Sequence, residues 1–199
     1  VKITGIGNYY GTITRNFQIV SAQNTPTPAP VSKTFKDAYN TYTVNKTGTS
    51  VTLKKPNSKV IITATIPSSV KANGKTYKVT AIAPNAFKNC RKLKQATISK
   101  NVSSIGSGAF QGCSSLRTLK ISSKVSSIGA KAFYDCKALT SVTIQSKKLT
   151  SGSVGKSAFA KAGRNNYKKL KVKVPKSRLS AYKKLLKAKG LSSKTKVTK

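Results

Sequence analysis

The chain has 199 residues, which suits one domain of ordinary size or two small ones. It carries 39 Lys and Arg against 2 acidic residues and no His, giving a formal net charge of +37. The lack of His excludes acid–base catalysis by imidazole, and the two acids, Asp37 and Asp135, lie too far apart in the sequence to suggest a carboxylate pair or a hard-metal site. We therefore expect no enzyme, no metal and no cofactor. No apolar run approaches the roughly 18 residues of a membrane helix.

The positive charge predicts attraction to anionic polymers. Spread over about 9,000 Å² of surface, the net charges would lie about 16 Å apart, beyond the Debye length of about 8 Å. Residues 161–199, however, hold 15 of the 39 basic residues and no acid, so charges there are crowded. Because only five of the 39 are Arg, nonspecific attraction is favoured over sequence-specific reading of nucleic acid.

The first part of the chain precedes any repeat. Residues 1–20, with the segments 7–11 and 17–19, resemble the closing strands of a bacterial immunoglobulin-like domain, and we expect them to be its remnant. Only one hairpin of such a domain is present, so the chain is expected to be part of a longer polypeptide. Residues 21–33 contain three Pro and predict a stiff linker.

Residues 34–59 contain two alternating stretches, 39–44 and 51–53, separated by Thr47-Gly48-Thr49. This pattern predicts a hairpin. It would cap the first rung of the repeats and so cover an edge that is otherwise open to aggregation.

Residues 60–175 carry the strongest signal, a repeat of 23 residues. The positions that recur at this spacing are Ile82, Ile105 and Ile128; Phe87, Phe110 and Phe133; Cys90, Cys113 and Cys136; Leu93, Leu116 and Leu139; and Ile98, Ile121 and Ile144. A fourth unit, with Phe159, is looser and places Ala162 in the Cys column. An earlier step near Ile66 is interrupted by residues 71–77, where Asn73-Gly74 predicts a turn.

Each unit contains a short alternating segment. In 116–121, Leu119 and Ile121 are expected to point inwards while Thr118 and Lys120 point outwards. Such strands bury little alone but form a continuous core when stacked in parallel. The predicted fold class is an α+β repeat: a leucine-rich-repeat solenoid with a parallel β-ladder of about five rungs of ~23 residues, an N-terminal hairpin cap and a C-terminal helical cap.

The segments Ile-Gly-Ser-Gly-Ala-Phe-Gln-Gly-Cys-Ser-Ser-Leu (105–116) and Ile-Gly-Ala-Lys-Ala-Phe-Tyr-Asp-Cys-Lys-Ala-Leu (128–139) resemble the BspA-like leucine-rich repeat family of bacterial surface proteins. The resemblance covers about residues 60–175. It implies secretion or display at the cell surface, with adhesion or binding of host factors as the usual role, and it brings no catalytic motif.

Residues 176–199 predict a helical cap. After a final strand at 170–174, Ser177 is expected to begin a helix that ends at Lys189, with Gly190 at the C′ position. The apolar face of the helix consists of Leu179, Tyr182, Leu185 and Leu186. A basic amphipathic helix also suits a membrane surface, but a cover for the last rung is the favoured interpretation.

The three Cys are interpreted as buried packing thiols. Their spacing is that of the repeat and not of a Cys-x-x-Cys metal or redox motif. Stacked side chains point in parallel, which suits a disulfide poorly.

Two sets of residues are candidates for binding. The outward strand positions, expected to form a concave face, are Gln95, Thr97, Thr118, Lys120, Ser141, Thr143, Lys171 and Lys173. The candidate polyanion cluster consists of Lys168, Lys169, Lys171, Lys173, Lys183 and Lys184. No aromatic residue stands among the outward positions, and Thr and Ser there are also ordinary strand material.

The sequence thus predicts a non-enzymatic adhesion or binding module, secreted or on the bacterial surface. Its expected partners are anionic host or cell-wall polymers, with host proteins as a further class, nucleic acid only nonspecifically, and no membrane insertion. Two alternatives stay open: a structural spacer without a ligand, whose lysines only supply solubility, and a dedicated polyanion-binding protein.

Overall fold

The computed structural model of the protein describes residues 34–199. In chain order its strands are β1 (Thr34–Lys36), β2 (Asn40–Val44), β3 (Ser50–Pro56), β4 (Thr63–Ile66), β5 (Ser69–Ala72), β6 (Lys75–Ile82), β7 (Gln95–Ile98), β8 (Ser104–Ile105), β9 (Thr118–Ile121), β10 (Ser127–Ile128), β11 (Ser141–Ile144), β12 (Lys171–Lys173) and β13 (Lys196–Thr198). A 3-10 turn (Lys176–Arg178) leads into helix α1 (Leu179–Ala188). The immunoglobulin-like remnant predicted for 1–20 and the linker predicted for 21–33 lie outside the described residues.

Six parallel strands form one sheet, here called the ladder sheet, in the order β4-β7-β9-β11-β12-β13. Equivalent residues stay in register, so that Ala96, Leu119 and Val142 are neighbours in one buried column. Each strand alternates as predicted, and in β9 the buried Leu119 lies between the exposed Thr118 and Lys120. The predicted parallel solenoid is therefore confirmed, with six ladder strands where about five rungs were expected.

The second sheet has the order β1-β2-β3-β6-β8-β10, with β5 paired to β6. The β2–β3 hairpin occupies the place predicted for the cap; β1 adds a third antiparallel strand to it, and β3 joins the repeats by pairing in parallel with β6. The β5–β6 hairpin confirms the turn predicted at Asn73 and Gly74, whose φ angles of 48° and 72° suit a type I′ turn.

The interior is built from repeated columns of side chains. The rings of Phe87, Phe110, Phe133 and Phe159 stack with successive centroid distances of 4.8, 5.4 and 5.3 Å. All four rings are buried, as are the three Cys and Ala162 in the adjoining column. Large apolar surface is thereby removed from water at every turn, which is what stabilises short strands that bury little alone.

Backbone hydrogen bonds join the arcs that lie between the two sheets. The N–H of Phe110 donates to the carbonyl oxygen of Ala132 at 2.8 Å, and the N–H of Gly112 donates to that of Tyr134 at 2.9 Å. Equivalent bonds recur in the neighbouring turns, for example from Phe87 to Ala109 at 2.7 Å. The arcs therefore have their polar backbone groups satisfied by the next turn.

The C-terminal segment differs from the prediction in two ways. The helix begins at Leu179, because Lys176–Arg178 forms a 3-10 turn and no side chain caps the helix N-terminus. After Gly190, whose φ is +97°, the chain returns to the ladder sheet as β13. Helix α1 is thus the return segment of the last turn as well as a cover for its core.

Helix α1 packs by the face that was predicted. Tyr182, Leu185 and Leu186 are buried and Leu179 is partly buried. The hydroxyl of Tyr182 donates to the carbonyl oxygen of Ser146 at 3.0 Å, so its polar end is satisfied within the core. No helix of the described residues is both long enough and apolar enough to span a membrane.

Candidate functional site

The outward side chains of the ladder sheet form a regular surface, here called the ladder face. It has two columns in register, Gln95–Thr118–Ser141–Lys171 and Thr97–Lys120–Thr143–Lys173. The structure thus brings together all eight residues predicted for the outward face. Most are exposed, and Thr97 and Thr143 are half-buried.

Sequence reasoning missed the two ends of this face. Strand β4 adds Thr63 and Thr65 before Gln95, and β13 adds Lys196 and Thr198 after Lys171. The alternation in β4 was detectable, since the buried Ala64 and Ile66 alternate with the exposed Thr63 and Thr65. Strand β13 has only one buried side chain and therefore leaves no periodic signal.

The ladder face changes character along its length. Its β4 and β7 end carries neutral side chains, whereas Lys171, Lys173 and Lys196 lie on β12 and β13. Lys171 and Lys196 are direct register partners, so their Cα atoms are about 5 Å apart, well within the Debye length. Like charges placed directly opposite each other are unfavourable unless an anion lies between them.

The lysines predicted as one polyanion cluster are divided among several surfaces. Lys168 and Lys169 lie exposed in the turn before β12, and Lys171 and Lys173 lie on the ladder face. On helix α1, Lys183 lines a groove beside β13, together with Lys196. Its neighbour Lys184 lines a different groove, beside Arg178 and the loop around Thr150.

Both acids of the chain are engaged elsewhere. Asp37 accepts hydrogen bonds from the N–H groups of Tyr39 and Asn40, at 2.8 and 2.6 Å, and from the hydroxyl of Tyr42 at 2.8 Å. Asp135 pairs with the guanidinium of Arg164 at 2.9 Å. The lysines of the ladder face therefore have no carboxylate to neutralise them.

The three Cys are free thiols in the core. The Sγ of Cys113 donates to the carbonyl oxygen of Phe87 at 3.1 Å, and that of Cys136 donates to Phe110 in the same way. Burial raises the pKa of Cys113 to about 12 and also raises the pKa of Cys136 well above its usual value. These thiols are therefore unsuited to nucleophilic or metal chemistry, and no metal-binding cluster of side chains occurs within residues 34–199.

Comparisons with known proteins match residues 57–188 to the BspA type leucine rich repeat region, in six copies. No curated protein matches the sequence. Among solved structures, the leucine-rich repeat protein of T. pallidum shares 22% identity over 71% of this chain and 60% of its own, with a TM-score of 0.58. A leucine-rich repeat protein of Bacteroides ovatus shares 24% identity over 71% of this chain and 47% of its own, with a TM-score of 0.53.

These two structures support the fold alone, and the chain covers less than two thirds of either protein. The six matched repeat copies lie within residues 57–188, which is more than half of the 199 residues. The chain belongs to the BspA type leucine-rich repeat family, whose repeats are typical of bacterial cell-surface proteins.

Proposed function

We propose that this protein is a non-enzymatic binding module of a secreted or surface-displayed bacterial protein, and that it binds anionic polymers through the cationic end of the ladder face. The observation that carries this proposal is the set of in-register lysines on β12 and β13, which no carboxylate neutralises. Strands built on a solenoid hold the backbone positions of these lysines at fixed spacing, so no backbone has to be ordered when a ligand binds.

The choice of lysine suits this role. Lys171 and Lys173 are point charges on flexible stems, and such groups attract phosphate, sulfate or carboxylate without reading a sequence or a stereochemical pattern. Binding releases counterions, so affinity must fall steeply with salt. The chain contains no His or Glu, and both Asp side chains are engaged by other partners, which supports a role in binding rather than in catalysis.

The test is binding to immobilised heparin, teichoic acid and DNA across a salt series. We expect saturable binding to at least one of these polymers at 150 mM salt. The double variant Lys171→Glu/Lys173→Glu should reduce the magnitude of the slope of log K against log salt by about 1.4–1.8, because each of the two lost phosphate-type contacts contributes about 0.7–0.9.

A matched control changes the net charge equally at another place. Arg91 and Lys92 are exposed residues in the arc between β6 and β7, away from β12 and β13. The variant Arg91→Glu/Lys92→Glu should keep most of the slope. Equal effects of the two double variants would show that the charge acts only in bulk, and no saturable binding at all would favour the spacer alternative.

The dedicated polyanion-binding alternative makes a different prediction. It requires Lys168, Lys169, Lys183 and Lys184 to act together with the strand lysines, and charge reversal at Lys120 to have no effect. The separation of Lys183 from Lys184 on two sides of α1 favours the ladder face over that larger cluster.

A further inference from the structure

A groove lies between helix α1 and strand β13, at the β13 end of the ladder sheet. Its lining consists of Lys176, Leu179, Lys183, Lys187 and residues 195–199. Five of these side chains are lysines, and Leu179 and Val197 form an apolar floor between them.

Strand β13 presents an unpaired edge to this groove. Within the described residues it pairs only with β12, where the N–H of Val174 donates to the carbonyl oxygen of Thr198 at 2.9 Å. The N–H and C=O of one residue in a strand point to the same side, and this side alternates along the chain. The N–H and C=O of Val197 therefore face the groove, where they can pair with another strand.

A second polar group in the groove also lacks a partner. Thr195 lines the groove, only 5% of its surface is exposed, and its hydroxyl makes no hydrogen bond to any of residues 34–199. A buried hydroxyl without a hydrogen-bond partner is unfavourable. Its position beside the open strand edge points to a ligand that supplies polar groups there.

We propose that this groove binds an extended, acidic segment of a partner protein, which adds to β13 as a further strand. Alternate side chains of such a segment would point to opposite faces. One set would cover Leu179 and Val197, so it must be apolar. The other set would lie beside Lys196, in the column that contains Lys171, so it must be acidic.

Other occupants fit the groove less well. A second copy of this chain carries the same net charge of +37, and its two acids are already engaged by Tyr42 and Arg164. A polysaccharide would gain nothing from the strand edge, and the groove offers no aromatic ring on which a sugar could stack. An acidic peptide uses the backbone edge, the floor and the rim together.

The experiment measures fluorescence polarisation of a labelled ten-residue peptide in which Val and Glu alternate, with the whole 199-residue chain. We expect saturable binding at 150 mM salt. Two control peptides separate strand pairing from charge: one has the same composition in blocks of Val and Glu, and the other is the alternating peptide N-methylated at every second residue. Removing about two hydrogen bonds should weaken binding of the N-methylated peptide about tenfold.

Neighbouring lysines on α1 provide matched protein variants. Lys183→Glu should weaken binding of the alternating peptide about tenfold, because it reverses one charge beside an acidic ligand. Lys184→Glu lies on the other side of the helix and should have little effect. Both residues are exposed, so neither change threatens folding.

Equal binding of the alternating, blocked and N-methylated peptides would overturn the proposal, because it would reduce the interaction to charge. Equal effects of the two lysine variants would overturn it as well. The outcome is separate from that of the polymer experiment, since heparin and teichoic acid contain no peptide backbone and their binding is tested with variants of β12.

Discussion

Replacing Gly129 by Ala is expected to destabilise the solenoid by about 2–4 kcal/mol. Gly129 is in the column that also contains Gly106 and Gly155, where successive turns approach each other by their backbones. A Cβ atom at 129 would lie 2.6 Å from the Cα of Ser107 and 2.7 Å from the carbonyl carbon of Gly106, and closer still to the nitrogen of Ser107. These atoms belong to the backbone and have no alternative rotamer.

The magnitude follows from the shift that relieves this contact. Carbon atoms in ordinary contact are at least about 3.4 Å apart, so the two turns must separate by about 0.8 Å. The same two turns are joined by a hydrogen bond from the N–H of Gly129 to the carbonyl oxygen of Ile105 at 2.8 Å. A separation of about 0.8 Å would lengthen this bond to about 3.6 Å, at which distance it is lost. Overpacking costs about 1–3 kcal/mol, and the lost hydrogen bond costs about 1 kcal/mol more.

Equilibrium unfolding in urea, followed by circular dichroism, measures the effect. The matched control is Gly152→Ala, because no atom lies within 4 Å of a Cβ at Gly152 and its backbone is not left-handed. That variant should lie within about 0.5 kcal/mol of the wild type or be slightly more stable. If Gly129→Ala also unfolds within 0.5 kcal/mol of the wild type, the argument from close approach of the turns is refuted.

Three further predictions concern the cap, the thiols and the ring stack. Asp37→Ala removes the acceptor of three hydrogen bonds, one of them from the buried Tyr42, and should lower the free energy of unfolding in urea by about 2–3 kcal/mol. Arg164→Ala breaks an exposed ion pair and should lower it by less than about 1 kcal/mol in the same assay. Stability should fall as the pH rises above 9.0, because thiols ionise there in the unfolded chain while burial holds the pKa of Cys113 at about 12 in the folded chain. Urea midpoints measured between pH 7 and 10.5 should fall less steeply for Cys113→Ala than for the wild type. Equal slopes of midpoint against pH for the two proteins would contradict this linkage. Phe110→Ala opens a gap between two stacked rings and should cost about 3–5 kcal/mol in thermal or urea unfolding, so a loss below about 2 kcal/mol would argue against close packing of the stack.

The middle turns were predictable because each one repeats the same physical solution. A residue such as Phe110 occurs in a column with equivalents 23 positions away, and its burial follows from that recurrence. The orientation of Thr118 and Lys120 follows from simple alternation within a strand whose inward residues are apolar. The Asn73-Gly74 turn was predictable for a local reason, since both residues accept positive φ.

The C-terminal turn was harder to predict because its elements depend on distant partners. Strand β13 exists through pairing with β12, and Val197 alone carries its burial. The helix was predicted from its apolar face, but the residues that were predicted to begin it form a 3-10 turn, which has no side-chain cap. The sequence therefore predicted only part of the cationic end of the ladder face: Lys171 and Lys173 were among the predicted residues, and Lys196 was not.

The fold needs few carboxylates, and so unbalanced a charge is therefore compatible with it. Of the two acids, only Asp37 takes a position that lysine could not fill; at the position equivalent to Asp135 in the next turn, Lys161 adopts the same left-handed backbone with φ of 60°. Asp37 ties two N–H groups and the Tyr42 hydroxyl at the turn between β1 and β2, and Asp135 accepts a left-handed backbone with φ of 57°, a conformation that short polar side chains tolerate better than most. The repeat columns that hold the solenoid together are neutral, so the fold itself asks for no further carboxylate. Outward positions require only a side chain that suits a strand or an arc, so the fold places no constraint on their charge.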